Sequence, residues 1–187
     1  MAPRHHNTVN VPPSPWVVRF APRITGDVLD VACGGGRHTR FFLSRGHRVT
    51  AVDRDLSRIS DLEKSDGLVL HQADLEADGN SGAGPLPGGR FRGVIVTNYL
   101  WRPLLPAIVA AVAEDGVLVY ETFAAGNARY GKPSNPDYLL QPGELLDAVS
   151  GQLQVVAYEN GLTDDPRPAV IQRICAVRQN VGQIPLF

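Results

Sequence analysis

The sequence is poor in the residues that mark several functional classes. Its 187 residues hold two cysteines, Cys33 and Cys175, too few for a disulfide framework or a cysteine zinc set. Both fall in apolar runs that read as buried strand ends, and a reducing compartment is expected. Lysine is scarce as well: Lys64 and Lys132 stand alone among arginines, and neither follows a tyrosine by four positions. The Tyr-x-x-x-Lys proton donor of many nicotinamide oxidoreductases is therefore missing. Neither sign of charge is in excess, since 18 Lys and Arg against 19 Asp and Glu give a net charge of -1. That removes the electrostatic case for a nucleic-acid or membrane-surface protein. No run approaches the roughly 18 apolar residues of a membrane span. The stretch Met1 to Pro15 carries Pro3, Pro12, Pro13 and Pro15 without the apolar centre of a secretory signal. A cytoplasmic protein with neither nucleic acid nor membrane as partner is the expectation. There is also no repeat, nucleophile elbow or paired-carboxylate signature. His5, His6, His38, His47 and His71 sit in a tail and in separate turns or strands, which is not a metal-ligand spacing.

What is present is an alternation of strand and helix patterns. Asp27 to Ala32 is a short apolar strand, and Arg37 to Arg45 is a helix that turns Phe41 and Phe42 inward and ends at Gly46. His47 to Val52 is a second strand. Asp55 to Glu63 is helical, with Leu56, Ile59 and Leu62 spaced by three, and Gly67 closes it before a third strand, Leu68 to His71. Residues 76–90, rich in glycine, form an exposed loop. Phe91 to Thr97 is a strand suited to burial on both faces, Pro103 to Ala113 an alanine-rich helix, and Gly116 to Glu121 a fifth strand. Residues 124–141 are irregular. Pro142 to Ser150 is a short helix with proline in its first turn, and Leu153 to Tyr158 pairs with Ala169 to Val177 as a terminal hairpin. The pattern predicts an α/β fold: a doubly wound, Rossmann-like, mostly parallel sheet of about seven strands ending in an antiparallel β-hairpin. Such sheets bind ligands at the carboxyl ends of their strands, here the turns after Ala32, Val52, His71 and Thr97.

The first of these turns carries Gly34, Gly35 and Gly36, which let the backbone approach a ligand closely. A tight turn with no ligand is the plain alternative. Asp30 helps to discriminate between ligand classes. A dinucleotide puts its pyrophosphate over such a turn, where a carboxylate at the end of strand one repels it, and Thr39 stands where the third glycine of that fingerprint belongs. A cationic amino-acid end instead gains a hydrogen-bond acceptor from Asp30, and S-adenosylmethionine carries one. Asp53, ending strand two, suits a pair of ribose hydroxyls or a helix cap. Asp74, after strand three, suits an adenine amino group or a simple turn. Three acids near the ends of successive strands, with a glycine turn after the first, form the informative conjunction.

These residues resemble the motifs of class I S-adenosylmethionine-dependent methyltransferases. Val28 to Arg37 is similar to the family's glycine-rich first motif, with Ala32 where a glycine is commoner. Val49 to Asp55 resembles the second motif, Gln72 to Leu75 the third and Val94 to Leu100 the fourth. The resemblance implies that Asp30, Ala32, Gly34, Gly36, Asp53, Arg54, Asp74, Leu75 and Asn98 hold the cofactor. It implies a single methyltransferase domain over 25–178, an N-terminal arm or cap over 1–24 and a tail over 179–187. Gly34 to His38 and Pro142 to Leu146 further resemble the small tellurite-resistance and thiopurine-type branch. Its members methylate small acceptors such as thiols or selenium and tellurium oxyanions.

In the family the segment after strand four faces the methionine end of the cofactor. Tyr99 there is a candidate wall of the acceptor pocket, or a core aromatic. Arg102 offers a planar fork for an anionic acceptor, or stands solvated beside the next helix. Glu121 is a base or an ion-pair partner, and Tyr130 belongs, with Arg129, to the rim. The long segment 124–141 is expected to be a substrate lid that bends at Gly126 and Gly131. Trp16 to Phe20 either cover the cofactor site or dock on the core. A nicotinamide-dependent oxidoreductase and a noncatalytic binding module stand as the alternative functions.

Overall fold

The structure, a computed structural model, describes residues 11–77 and 86–178. His5, His6, the 179–187 tail and the centre of the 76–90 loop lie outside the described residues. Seven strands form one sheet in the order β3-β2-β1-β4-β5-β7-β6. They are β1 (Val28–Val31), β2 (Val49–Asp53), β3 (Leu68–Gln72), β4 (Phe91–Thr97), β5 (Val112–Phe123), β6 (Gln154–Thr163) and β7 (Ala169–Val177). The first five run parallel, and β7 inserts antiparallel between β5 and β6. This is the expected doubly wound sheet with its terminal hairpin.

Burial alternates along the central strands. Val94, Val96, Leu118 and Tyr120 face one core, while Ile95, Val117 and Val119 face the other. All four residues of β1 are buried, because both of its faces are covered. Helix α1 (Pro15–Phe20) covers the second face. Ser14 caps it by accepting the Trp16 N–H at 3.1 Å, and Pro15 occupies its first turn. Trp16 and Phe20 pack edge to face at 4.7 Å, and the Trp16 indole N–H donates to the Ile174 carbonyl at 3.2 Å. These two aromatics dock on the core instead of covering the site.

Helix α2 (Arg37–Leu43) follows β1 and buries Phe42, leaving Phe41 half-buried. Three expected elements differ. Residues Leu56–Leu62 are 3-10 turns broken by non-helical angles at Ile59, where the chain bends to put that side chain at 0% exposure against the glycine turn. The alanine-rich segment forms only α3 (Leu105–Ala110) after a 3-10 turn at Arg102–Leu104. It stops there because Phe91 N–H donates to the Ala111 carbonyl and Val112 enters the sheet opposite Phe91, so pairing overrides helix propensity. Helix α4 (Glu144–Val149) begins after Gly143 in a left-handed conformation, which leaves Pro142 outside the helix. No helix among the described residues is long and apolar enough to cross a membrane.

Candidate functional site

The order of the sheet sends the chain from β1 to β2 on one side and from β1 to β4 on the other, opening a crevice at the carboxyl ends of β1, β2 and β4. The turn after β1 lies there in a conformation that favours small residues. Ala32, Gly34 and Gly36 have φ of 53°, 56° and 72°. The two glycines answer to different neighbours. A Cβ on Gly36 would lie 2.5 Å from Ile59 Cγ2, whereas a Cβ on Gly34 would meet nothing within 4 Å. Gly36 is thus required by packing, and Gly34 presents bare backbone to open space.

Two adjoining cavities, of about 450 and 330 Å³, meet at Ala32, Gly34 and Arg58. Both are within the usual range for small-ligand sites. Asp53, Arg54, Asp74, Leu75 and Tyr99 line the larger one. Asp53 Oδ2 accepts the Gly34 N–H at 2.8 Å, and its Oδ1 accepts the Asp55 N–H at 3.0 Å. Asp74 accepts the Glu76 N–H at 3.0 Å. With Asp55 and Glu76 the larger cavity carries four carboxylates. The smaller one is lined by Arg37 and Arg58 and, among the described residues, by no carboxylate. The pair is divided by charge: acidic at the ends of β2 and β3, cationic between β1 and β4.

Several expected site residues lie elsewhere. Asp30, 2% exposed, lines neither cavity; its Oδ2 accepts the Thr39 hydroxyl at 2.6 Å, behind the glycine turn. Burial raises its pKa to about 6, against the lowering effect of the Thr39 bond. Asp30 therefore braces the turn from inside, covered from both cavities. Gly36 is likewise covered, by Ile59. Asn98, with φ 55°, lines the smaller cavity, as expected of the segment after β4. Tyr99 turns the other way, to the acidic cavity, and its buried hydroxyl has no hydrogen-bond partner among the described residues. Burial, reinforced by Glu76, Asp74 and Asp53, pushes that hydroxyl's pKa up.

Arg102, Glu121 and Tyr130 line neither cavity. The Arg102 guanidinium is already engaged, by Glu144 at 2.6 and 3.0 Å and by the carbonyls of Asp137 and Leu139 at 2.5 and 2.9 Å. It has no free fork for an anion. Glu121 accepts the Ser14 hydroxyl at 2.8 Å and pairs with Arg173 at 3.3 Å, the ion-pair alternative of the two. Tyr130 is 46% exposed and lines neither cavity. The 124–141 segment is tied down at both ends. Ala124 bridges Leu140, Leu140 is fully buried, and Asn127 is fixed to the carbonyl of Pro133 and the N–H of Val170. Tyr138 carries it to the rim of the larger cavity.

Sequence reading missed a polar chain beside the smaller cavity. His38 Nε2 accepts the Ser14 backbone N–H at 3.1 Å, His38 Nδ1 lies 3.4 Å from Thr97 Oγ1, and Arg37 donates to the same oxygen at 3.4 Å. Ser14, His38 and Thr97 are far apart in the chain and show no local pattern. The Gly34 to His38 stretch and the turn after Thr97 were marked by their positions, but not the contacts that join them through Ser14. No cluster of three His, Cys, Asp or Glu side chains among the described residues is arranged to hold a metal.

No protein-family model matches the chain. Ribosomal RNA small subunit methyltransferase H from Gemmatimonas aurantiaca is 32% identical over 156 residues, covering 78% of this chain and 44% of that protein. The chain thus spans less than half the length of this curated relative. TehB from Haemophilus influenzae superposes with a TM-score of 0.67 at 18% identity, over 87% of this chain and 61% of that one. The 1,6-didemethyltoxoflavin-N1-methyltransferase of Burkholderia thailandensis, solved with S-adenosylhomocysteine, gives 0.64 at 19% identity, over 88% and 76%. At these identities the structural likeness shows the fold.

Proposed function

We propose that this chain, which has the class I S-adenosylmethionine-dependent methyltransferase fold, transfers a methyl group from that cofactor to a small-molecule acceptor. The observation that carries the reading is the joint lining of one cavity of about 450 Å³ by Asp53 and Asp74, beside the bare backbone of Gly34. Two acids at the ends of consecutive strands suit the hydroxyls and the amino group of an adenosine. Thr39, fully buried where the third glycine of a dinucleotide fingerprint belongs, weighs against the oxidoreductase alternative.

S-adenosylmethionine, when bound, supplies a methyl group already activated by the positive charge on sulfur. Asp53 accepts from the ribose, Asp74 from the adenine edge, Leu75 packs on the base, and Ala32, Gly34 and Asn98 line the way to the second cavity. Arg54 stands at the rim. The remaining work of the chain is to hold the acceptor roughly 3 to 3.5 Å from the methyl carbon and exclude water. Residues 25–178 form the methyltransferase unit, and Val11, from the segment before it, lines the smaller cavity. Glu121 is held by Ser14 and Arg173, and a thiolate or a selenium or tellurium oxyanion, already a soft anion, needs no base to accept a methyl group. The relative that acts on ribosomal RNA raises a polymeric acceptor as the second reading, against which stands a net charge of -1.

Calorimetric titration with S-adenosylmethionine and S-adenosylhomocysteine, with NAD and NADP alongside, tests the cofactor. Saturable binding of the first pair alone is the expected result; binding of a nicotinamide cofactor alone overturns the proposal. Methyl transfer from labelled cofactor to thiols, selenite and tellurite, with ribosomal RNA in parallel, then decides the acceptor.

A further inference from the structure

The larger cavity has a charged side and an aromatic side. Asp53, Arg54 and Arg58 belong to the end of β2 and the turns after it, and Asp74 follows β3, whereas Tyr99 follows β4 and Tyr138 lies beyond β5, across β1 in the sheet order. Arg102 lines neither cavity, yet its guanidinium is bonded around Tyr138. Nη1 donates to the Asp137 carbonyl at 2.5 Å and Nη2 to the Leu139 carbonyl at 2.9 Å, so one side chain holds the backbone on both sides of the tyrosine. Nε and Nη2 also reach Glu144 at 2.6 and 3.0 Å, and Glu144 Oε2 accepts the Gln141 N–H at 2.7 Å. The two residues after Tyr138, Leu139 and Leu140, are buried. Tyr99 is fixed as well, since its carbonyl accepts the Tyr120 hydroxyl at 2.9 Å. The segment after β4 thus supplies one tyrosine of the cavity directly and fastens the other through Arg102. With its backbone held, Tyr138 is still 42% exposed at the cavity mouth.

We propose that Arg102 is a positioning residue for the ligand of the larger cavity: by gripping the carbonyls on either side of Tyr138, it sets that ring as a fixed wall against an adenosyl group. The two-sided cavity suits such a ligand. A nucleoside base turns its polar edge to carboxylates and its flat face to an aromatic ring, and a ring held in place before binding avoids the entropy cost of ordering it. The planar fork matters more here than the charge, because an ammonium at position 102 has no geometry that serves Glu144 and two carbonyls at once. The inference rests on the proposed function in taking the occupant to be adenosyl.

Calorimetry with S-adenosylhomocysteine on the wild type, Tyr138→Ala, Arg102→Ala, Arg102→Lys and the Tyr138→Ala/Arg102→Ala double variant tests it. Tyr138→Ala lowers the affinity by about threefold to tenfold, and both Arg102 variants lower it by a similar factor. The double variant binds no more weakly than Tyr138→Ala, because Arg102 acts only through the ring that is gone. Losses that multiply in the double variant overturn the proposal, as does wild-type affinity in Tyr138→Ala or in Arg102→Lys; a role for Arg102 in charge balance or general stability gives those results. If the wild type binds no adenosyl ligand, the methyltransferase reading fails on its own. The grip is then decided in the free protein by amide hydrogen exchange at Tyr138 and Leu139: exchange faster by about tenfold in both Arg102 variants sustains the positioning role, and equal exchange overturns it.

Discussion

The backbone N–H of Gly34 donates to Oδ2 of Asp53 at 2.8 Å, so the glycine turn after β1 is stitched directly to the end of β2. One carboxylate thereby shapes the turn and faces the larger cavity. Asp53→Ala is expected to weaken S-adenosylhomocysteine binding by about 1 to 3 kcal/mol, through a lost ligand partner and a loosened turn. The calorimetric Kd checks this, and an unchanged value removes Asp53 from the site.

Asp30 and His38 give opposite pH dependences to stability. Burial lifts the Asp30 pKa from 3.8 to about 6, so the folded chain holds this proton more tightly than the unfolded chain. Its contribution is full below about pH 3.8 and is lost as pH rises through about 6, a change on the order of 3 kcal/mol. His38 falls from 6.5 to about 3, so its contribution is full above pH 6.5 and is lost as pH falls toward 3. Between pH 4 and 6 the two oppose each other. Asp30→Asn is expected to make acid destabilisation steeper over this range, and His38→Gln to flatten or reverse it. Urea unfolding at both pH values, with parallel curves for the wild type and the two variants, would refute the assignment.

Gly36 is held by packing as well as by its backbone. With φ 72° and a Cβ position 2.5 Å from Ile59 Cγ2, Gly36→Ala is expected to destabilise the fold by about 1 to 3 kcal/mol. In an Ile59→Ala background the methyl clash is gone, and the penalty should shrink toward the backbone cost alone, about 1 kcal/mol. Denaturant unfolding of the four proteins reads the coupling directly. A penalty independent of residue 59 contradicts the clash.

Arg102 ties α4 to the end of the 124–141 segment through Glu144, Asp137 and Leu139. Because its side chain is 37% exposed, water screens the pair, and Arg102→Ala should cost only about 1 kcal/mol of global stability. Its local effect is larger: faster proteolysis within 124–141. An unchanged cleavage rate would show that Leu139 and Leu140 alone anchor the segment.

The alternation of short apolar strands with helices, and the all-apolar centre of β4, pointed to the parallel sheet from sequence alone, because a strand buried on both faces loses the in-out alternation of an exposed one. The glycine turn and the acids Asp53 and Asp74 were legible for a similar reason: strand ends are local features, and the doubly wound fold puts them at one edge. Helix lengths were not legible, since Val112 joins the sheet against the propensity of the alanines before it. Asp30 matched its motif yet is turned inward to Thr39, a choice of side-chain direction that residue order does not encode. Arg102 and Glu121 were equally ambiguous as letters. Only the fold, which brings Glu144 and Arg173 to them, decided that both are engaged in ion pairs. The chain from Ser14 through His38 to Thr97 lies furthest from what the sequence alone could reveal. It joins the segment before α1, the first turn of α2 and the end of β4, contacts that exist only once the sheet has closed the distance between them.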